Sequence, residues 1–373
     1  MIKVNTEDLV AGMILARSII EPDKSRVLLT AGQKLTPHYI NRIKEIGIST
    51  VYIKDNLNLE ETEPIVRDIT IQNATKALKE SYQNCLKTGR LRLDKLKGQV
   101  ESIIQEIITN QDIAYSISDI KNYDDYTCQH SVSVCVLATL IGVSKGYNEK
   151  QLYELALGAI LHDIGKITVP QEILNKPDKL NANEMQYILA HPWEGFNIIR
   201  NTKQVPLLSA HVALQHHERL DGLGYPRNLS GENIHEYARI TAIADIFDAL
   251  TSDRPYRVGF NNEQALKILQ SEQNTKLEAE LIEIVSHHIR LIPNGSVVLL
   301  STGDTAVVIK ENVKNPYAPV VKLLYNSSHQ KYKNDKNVDL LEKTTIKIKR
   351  TLSSGEASRI LSEYLIETMT NEN

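Results

Sequence analysis

Apolar and polar positions along the chain predict β-containing segments at both ends and a long helical middle. In the first 55 residues, short β-rich runs flank one helix. These runs cover residues 13–19, 26–30 and 50–53. Thr36 followed by Pro37 is typical of a helix start, and Gly47 marks where that helix ends. We therefore predict a small α+β domain over residues 1–55.

The acidic stretch that ends at Pro64 predicts a linker, and two helices are expected to follow it within residues 56–110. The second of these helices carries an apolar stripe at helical spacing, formed by Val100, Ile103, Ile104, Ile107 and Ile108. Such a stripe is typical of a helix that packs against its own domain. A helix that pairs with a second copy of the chain, giving a homodimer, is the alternative.

The middle of the chain, residues 111–292, is predicted to be helical. It has no glycine-rich phosphate loop and no alternation of strands with helices, which excludes a dinucleotide-binding Rossmann domain. The segment 132–136 alternates as a strand would, but we predict a helix because the apolar run around it is long. That run, residues 132–143, is too short to span a bilayer, so we expect no membrane segment.

From residue 293 the pattern changes to short alternating runs separated by turn sequences. The predicted strands are 297–300, 306–309, 320–325 and 345–348. They predict a small β domain over residues 293–350. A final helix and tail, residues 351–373, follow, and the pattern does not reveal what this helix packs against. The chain is thus predicted to be multidomain and mainly α-helical.

Composition limits the classes of function. The chain has 373 residues, 42% of them hydrophobic, and a formal net charge of −3 with a pI near 6.4. No bulk basic field attracts a nucleic acid polymer, although a small anionic ligand needs only a local cluster. The three cysteines lack paired spacing, which predicts reduced thiols rather than disulfides or a thiolate metal site. Polar residues interrupt the N-terminus, so we predict no signal peptide and a cytoplasmic location.

Residues that carry chemistry are concentrated in the helical middle. The sequence Leu161-His162-Asp163-Ile164-Gly165-Lys166 closes an apolar run that predicts a buried helix, with Gly165 as its end. Burying an ionised carboxylate is costly unless cations or hydrogen-bond donors compensate it. A divalent metal would compensate Asp163. For the dipeptide alone, the alternative is a helix cap in which Asp163 pairs with Lys166.

Further histidines and aspartates surround this sequence in a definite order. The motifs are Asp125 to His130, His191-Pro192, Gln215-His216-His217-Glu218 continuing to Gly224-Tyr225-Pro226, and Ala244-Asp245 continuing to Thr251. Taken together with His162-Asp163, this order resembles the HD-GYP family, which are bacterial metal-dependent phosphodiesterases acting on cyclic di-GMP. The resemblance covers about residues 115–292. Several separate motifs in one order are a far more specific signal than any one of them.

The resemblance implies two divalent metal ions. His130, His162, Asp163 and Asp245 would hold one ion, and Asp163, His191, His216 and His217 would hold the other, with Asp163 bridging them. Imidazole and carboxylate ligands suit iron or manganese, which we expect, and also nickel or zinc. Some family members place a glutamate four residues before the first histidine, where it completes a third site. Tyr126 stands there, so we expect two ions.

Other residues are expected to contact the substrate. Lys166 follows His162 by about one helical turn, so its ammonium group can offset charge on a phosphate, and we expect it to act with Asp163 in catalysis. The resemblance directs Tyr225 at the substrate, and Arg254 and Arg257 at its phosphate or guanine. Three carboxylates, Glu218, Asp221 and Asp248, are expected to brace the metal-binding residues.

These observations predict a cyclic di-GMP phosphodiesterase that opens the ring to pGpG, or continues to GMP. A receptor that binds cyclic dinucleotides without cleaving them is one alternative, but it would not need the complete set of metal ligands. Another is an HD-type phosphohydrolase that acts on a different nucleotide such as cyclic GMP-AMP, and the intact Gly-Tyr-Pro sequence weighs against this alternative. Besides cyclic di-GMP, a second copy of the chain and a diguanylate cyclase or other signalling protein are candidate partners.

Overall fold

The computed structural model describes residues 1–20, 27–48, 50–55, 57, 59–60, 64–110, 126–176, 178–252, 259–312 and 315–371. Helices occupy the middle of the described chain, and strands occur towards both ends. The multidomain, mainly α-helical fold with β-containing ends is therefore confirmed. Two residues expected to contact the substrate, Arg254 and Arg257, lie outside the described residues.

The N-terminal elements form a small α+β unit. They are β1 (Ile2–Asn5), β2 (Ile19–Ile20), β3 (Val27–Leu29), α1 (Pro37–Glu45) and β4 (Thr50–Ile53). The predicted helix is confirmed: the Thr36 hydroxyl accepts a hydrogen bond from the Tyr39 amide at 3.3 Å, and Gly47 follows with φ +85°. Strand β1 was not predicted, and it pairs antiparallel with β4.

The regular elements described between residues 64 and 292 are all helices. The α-helices are α2 (Asp68–Thr88), α3 (Asp94–Thr109), α4 (Tyr126–Ser144), α5 (Glu149–Ile160), α6 (Gln171–Leu174), α7 (Ala182–Arg200), α8 (Leu207–Gln215), α9 (Glu236–Thr251), α10 (Asn262–Ser271) and α11 (Ala279–His288). All of them except the short helix α6 contribute buried side chains to one hydrophobic core. The apolar stripe of α3 is part of this core, which confirms that it packs within its own domain.

Helix α4 is the central element of the helical part, and it contacts α5 and α9 extensively. Residues 128–142 are all buried, so nearly every face of this helix meets protein. A helix that is apolar all round belongs in a core, which explains why the segment 132–136 looked like a strand. The 18-residue window Thr127–Ser144 is apolar enough to cross a membrane, but 83% of it is buried within the chain.

The C-terminal strands form one antiparallel sheet in the order β8-β7-β6-β5-β9. They are β5 (Val297–Leu300), β6 (Thr305–Lys310), β7 (Val320–Tyr325), β8 (Asn337–Asp339) and β9 (Ile348–Thr351). The first three were predicted. The predicted strand 345–348 was wrong. The Ile346 amide donates a hydrogen bond to the Lys343 carbonyl within a turn, and the strand begins only at Ile348. Strand β8 was missed because its sequence is short and polar.

The two ends of the chain share a second hydrophobic core. Helix α12 (Ser354–Asn371) packs against β1, and its Leu361 and Leu365 join the apolar side chains of the N-terminal unit. The Ser358 hydroxyl accepts a hydrogen bond from the Asn5 amide at 2.8 Å. One face of the C-terminal sheet, including Val297, Val307 and Leu324, contributes to the same core. The partner of the final helix is therefore the N-terminal unit.

Candidate metal centre

Seven histidine and aspartate side chains from five helical segments converge on one point of the helical part. His130 comes from α4, His162 and Asp163 follow the end of α5, His191 lies in α7, His216 and His217 follow α8, and Asp245 lies in α9. Helices in contact bring these positions together from distant parts of the sequence, because α4 packs on α5 and α9 while α7 packs on α8. These are the seven residues that the sequence predicted as metal ligands.

The seven side chains form two groups. Within each group, the possible ligand atoms all lie within 4.8 Å of one another. We call them the His130 group (His130, His162 and Asp245) and the His191 group (Asp163, His191, His216 and His217). Asp163 also borders the His130 group, because its Oδ2 lies 3.4 Å from Nε2 of His162. Its Oδ1 lies 3.4 Å from Nε2 of His191. This carboxylate therefore faces both groups.

The donor atoms of the centre fit a divalent metal. Nε2 of His162 and Oδ1 of Asp163 are buried and make no hydrogen bond with the described residues. Orphaned polar atoms of this kind are rare in native structures and need an explanation. Imidazole nitrogen and carboxylate oxygen are suitable ligands for first-row metal ions. The structure thus supports metal binding at these residues.

Each of four histidines uses Nδ1 for a hydrogen bond within the protein, so its Nε2 is directed elsewhere. His162, His191 and His216 donate to the carbonyl three residues earlier, at 2.7, 2.6 and 2.9 Å. His130 instead contacts Oδ2 of Asp248 through Nδ1 at 2.7 Å, which confirms that Asp248 braces a histidine. Such partners fix the ring orientation and leave Nε2 available as the metal ligand.

Burial and charge give the histidines different protonation preferences. Burial lowers the pKa of His191 and of His216, and it lowers the pKa of His217 to about 4. Burial alone would also lower the pKa of His130, but hydrogen bonds with Asp245 and Asp248 raise it well above the usual value. The His191 group therefore presents neutral imidazoles at neutral pH, as metal ligands must be.

The carboxylate of Asp163 is ionised despite its burial. Burial alone would raise the pKa of Asp163, but nearby His162 and Lys166 hold it well below the usual range. Nζ of Lys166 lies 2.5 Å from Oδ2 of Asp163. The Lys166 side chain is about 29% exposed. Lys166 lies in the 3-10 helix Ile164–Thr168, and its contact with Asp163 is the ion pair that the sequence left open as the alternative. The expected role of Lys166 towards a phosphate stays a prediction.

Gly165 has a different role from the one predicted. It does not end α5, because α5 ends at Ile160 and Gly165 lies within the following 3-10 helix. A Cβ atom at Gly165 would lie 1.9 Å from the carbonyl oxygen of His191 and 2.6 Å from the amide of Gly195. Glycine is required here because the 3-10 helix and α7 approach each other backbone to backbone. This close approach sets the position of His191 beside Asp163.

The Gly-Tyr-Pro loop, residues 221–230, lies over the exposed side of the centre. The Tyr225 ring stacks on the His217 ring with a centroid distance of 4.6 Å and an interplanar angle of 24°. His217, Asp245 and Tyr225 are partly exposed, whereas Asp163, His191 and His216 are buried. Tyr225 and Lys166 are thus partly exposed side chains at the edge of the described part of the centre.

Two carboxylates that were expected to brace the histidines make other contacts. Glu218 accepts hydrogen bonds from the backbone amides of Arg227 and Leu229, and so holds the loop instead of an imidazole. Asp221 accepts from the Arg219 side chain and from the Leu223 amide. Sequence reasoning also missed Ser252, whose hydroxyl donates to Oδ2 of Asp248 at 3.2 Å. Its position at the end of α9, four residues after Asp248, was the available signal.

Comparisons with known proteins agree with this architecture. Residues 117–281 match the family model described as an HD domain, and residues 297–359 match a KOW domain associated with HD domains. The chain is 34% identical over 228 residues to a cyclic di-GMP phosphodiesterase of Pseudomonas aeruginosa, covering 61% of this chain and 55% of the relative. It is 36% identical over 179 residues to 3'3'-cGAMP-specific phosphodiesterase 3 of Vibrio cholerae, covering 48% and 39%. The chain thus spans about half or less of the length of these relatives.

The solved structure of the HDG"Y"P protein from Bdellovibrio bacteriovorus has a similar fold. It superposes with a TM-score of 0.51 at 19% sequence identity, and the match covers 76% of this chain and 97% of that chain. The similarity therefore extends beyond the residues that match the HD domain.

Proposed function

We propose that this chain is a metal-dependent phosphodiesterase of the HD-GYP type that acts in bacterial second-messenger signalling, because residues 117–281 match the HD-domain family model and the chain is similar to cyclic di-GMP phosphodiesterases. It hydrolyses cyclic di-GMP to pGpG, to GMP, or to both. The observation that carries this proposal is the convergence of seven ligand side chains in two groups that both face Asp163. Two neighbouring sites for divalent ions suit hydrolysis of a phosphodiester.

The proposed centre would hold two ions, iron or manganese, one in each group, and Asp163 would contribute to both sites. When bound, the ions would supply Lewis-acid stabilisation of charge at phosphorus and favour ionisation of the attacking water. The chain itself contributes fixed ligands, because the Nδ1 contacts of the histidines hold their rings in place. Preformed ligand geometry lowers the cost of assembling the site.

Residues around the ions would bind and orient the substrate. Lys166 stands beside Asp163 with part of its side chain exposed, so its ammonium group can offset the charge that builds up on a phosphate. Tyr225 offers a ring at the exposed side of the centre for stacking against a base. Arg254 and Arg257 are proposed to contact phosphate or guanine, since the guanidinium fork suits both.

Similarity to a cGAMP-specific enzyme makes cyclic GMP-AMP the second candidate substrate. A receptor without catalysis is less well supported, because all seven expected ligands are present and close together. We propose a cytoplasmic location, since the three cysteines lack the paired spacing of a disulfide framework. We also keep as proposals the predicted domain boundaries, which divide the chain into residues 1–55, 56–110, 111–292, 293–350 and 351–373. A homodimer, and a diguanylate cyclase or other signalling protein as partner, remain proposals as well.

The decisive experiment combines metal analysis with product identification. Protein purified under anaerobic, reducing conditions should contain two ions per chain and convert cyclic di-GMP to pGpG or GMP. Asp163→Ala should abolish hydrolysis and lower the metal content, because both groups lose a ligand. Asp178→Ala removes an exposed carboxylate and is the matched control. If metal-replete protein binds cyclic di-GMP tightly but does not cleave it, the protein is a receptor and the proposed enzymatic function is wrong.

Arg254→Ala separates substrate binding from metal binding. The variant should keep both ions and lose a charge-assisted contact of about 1.5–3 kcal/mol, which lowers kcat/KM roughly ten- to a few hundred-fold. Running the assay with cyclic di-GMP and cyclic GMP-AMP in parallel decides between the two substrates. Unchanged kcat/KM for both substrates would remove Arg254 from the proposed binding site.

A further inference from the structure

Glu218 is a buried carboxylate next to a metal ligand, and it serves the loop beyond that ligand. Its side chain is about 4% exposed. Oε1 accepts a hydrogen bond from the Arg227 amide at 2.8 Å, and Oε2 accepts one from the Leu229 amide at 3.0 Å. Both oxygens are thus directed at backbone on the far side of Tyr225 and Pro226. A buried carboxylate with two amide donors makes charge-assisted, geometrically specific contacts.

The near side of the same loop is fixed by a close backbone contact. A Cβ atom at Gly224 would lie 2.5 Å from the Arg219 amide and from Cα of Glu218, and 2.6 Å from the carbonyl oxygen of His217. The Tyr225 amide donates to that His217 carbonyl at 3.2 Å. The loop is therefore held against residues 217–219 at Gly224, and against the Glu218 side chain at Arg227 and Leu229.

Tyr225 lies between these two attachments, and its ring covers the His217 ring. His217 is the most exposed histidine of the His191 group, since His191 and His216 are buried. The position of the His217 ring can therefore be set by the loop that packs on it. The two attachments of the loop place Tyr225, and Tyr225 in turn holds the His217 ring.

We propose that Glu218 is a positioning residue: it fixes the Gly-Tyr-Pro loop so that the Tyr225 ring holds His217 in its metal-binding orientation. The inference rests on the proposed function in taking His217 as a metal ligand. The carboxylate acts through Tyr225 and does not contact the ion or the substrate. Residues that orient metal ligands commonly change metal affinity ten- to a hundredfold when they are replaced.

The test compares Glu218→Gln with Glu232→Gln. Glutamine at position 218 can accept from one amide but must direct its own NH₂ group at the other, so one of the two hydrogen bonds is lost. Glu232 lies on the exposed 3-10 helix that follows the loop, and its replacement removes the same charge. Hydrogen exchange at the Arg227 and Leu229 amides reports on the loop. Titration with Mn²⁺ alone, followed by electron paramagnetic resonance of the free ion, reports on the metal sites.

Glu218→Gln should exchange these amides about tenfold faster or more, and should bind one of two Mn²⁺ ions ten- to a hundredfold more weakly. Glu232→Gln should match the wild type in both measurements. Unchanged exchange in Glu218→Gln overturns the proposal, and so does faster exchange with unchanged Mn²⁺ binding. Neither measurement needs turnover, so a chain that cleaves no cyclic dinucleotide refutes the proposed function without deciding this test.

A second variant covers the case in which Glu218→Gln does not fold. Tyr225→Leu leaves both hydrogen bonds of Glu218 in place but removes the ring from His217. It should therefore weaken the same Mn²⁺ site while the Arg227 and Leu229 amides remain protected. Full Mn²⁺ affinity in Tyr225→Leu would show that the ring does not hold His217, and would overturn the proposal by itself.

Discussion

Asp163 is a buried carboxylate that interacts with several histidines and with a lysine of the candidate metal centre. Both of its oxygens face histidine nitrogens, and Oδ2 also pairs with the ammonium group of Lys166. A buried charge is stable only where such partners surround it. In the proposed centre the two side chains would have separate tasks: the buried Asp163 would bind the ions, and the partly exposed Lys166 would meet the substrate.

Replacing Lys166 by alanine should reduce turnover more than substrate binding. If the ammonium group acts mainly on charge that develops in the transition state, kcat should fall about a hundredfold while KM changes much less. Steady-state kinetics with metal analysis on the same preparation checks this. Lys179→Ala, at an exposed position, is the control for the lost charge. A rise in KM at constant kcat would instead assign Lys166 to ground-state binding.

The two ligand groups should release their ions at different pH values. A protonated imidazole cannot bind metal, so a raised pKa moves release to higher pH and a lowered pKa moves it to lower pH. The pKa of His130 is raised, whereas that of His217 is lowered to about 4. Mn²⁺ binding measured from pH 8 down to pH 4 should therefore decline in two steps, with the His130 group first. His130→Ala should remove the earlier step, and a single step would contradict this expectation.

At the scale of elements, the seven residues that the structure brings together could be predicted, because the sequence motifs place histidines and aspartates in one order along helices that pack together. Their role as metal ligands stays a prediction. The helical nature of α4 could also be predicted, from the length of its apolar run. Gly165 could not be interpreted correctly, since the reason for glycine lies in α7, about 30 residues later. The contacts of Glu218 and Asp221 were equally hidden, because they depend on how the Gly-Tyr-Pro loop folds back.

Gly165→Ala should disturb the contact between the 3-10 helix and α7. The added methyl group would lie 1.9 Å from the His191 carbonyl oxygen, so the backbone must move, and overpacking of this kind costs about 1–3 kcal/mol. Because His191 moves with α7, metal binding by the His191 group should weaken as well. Gly98→Ala, in the exposed part of α3 with no atom near its new Cβ, should instead leave stability unchanged or raise it slightly. Denaturant unfolding and metal analysis test both variants, and equal stability of the two would contradict the steric argument.

At the scale of the whole molecule, the first and last segments of the chain form one packed unit beside the helical part. Sequence patterns predicted an α+β unit, a β unit and a terminal helix separately. Nothing in those patterns shows that Leu361 of α12 and Ile2 of β1 lie in one core, since each segment is amphipathic by itself. Pairing between distant amphipathic surfaces is set by tertiary packing, and periodicity within a segment does not report it.

This shared core makes the stability of the N-terminal unit depend on the last helix. Leu361 is about 3% exposed and packs among side chains from both ends of the chain, so Leu361→Ala should cost about 2–5 kcal/mol of stability in that unit. Arg359→Ala, on the exposed face of α12, should have little effect. Hydrogen exchange should become faster in β1 and β4 of Leu361→Ala while α4, in the core of the helical part, stays protected. If β1 and β4 exchange as slowly as in the wild type, the two ends of the chain are stable independently of each other.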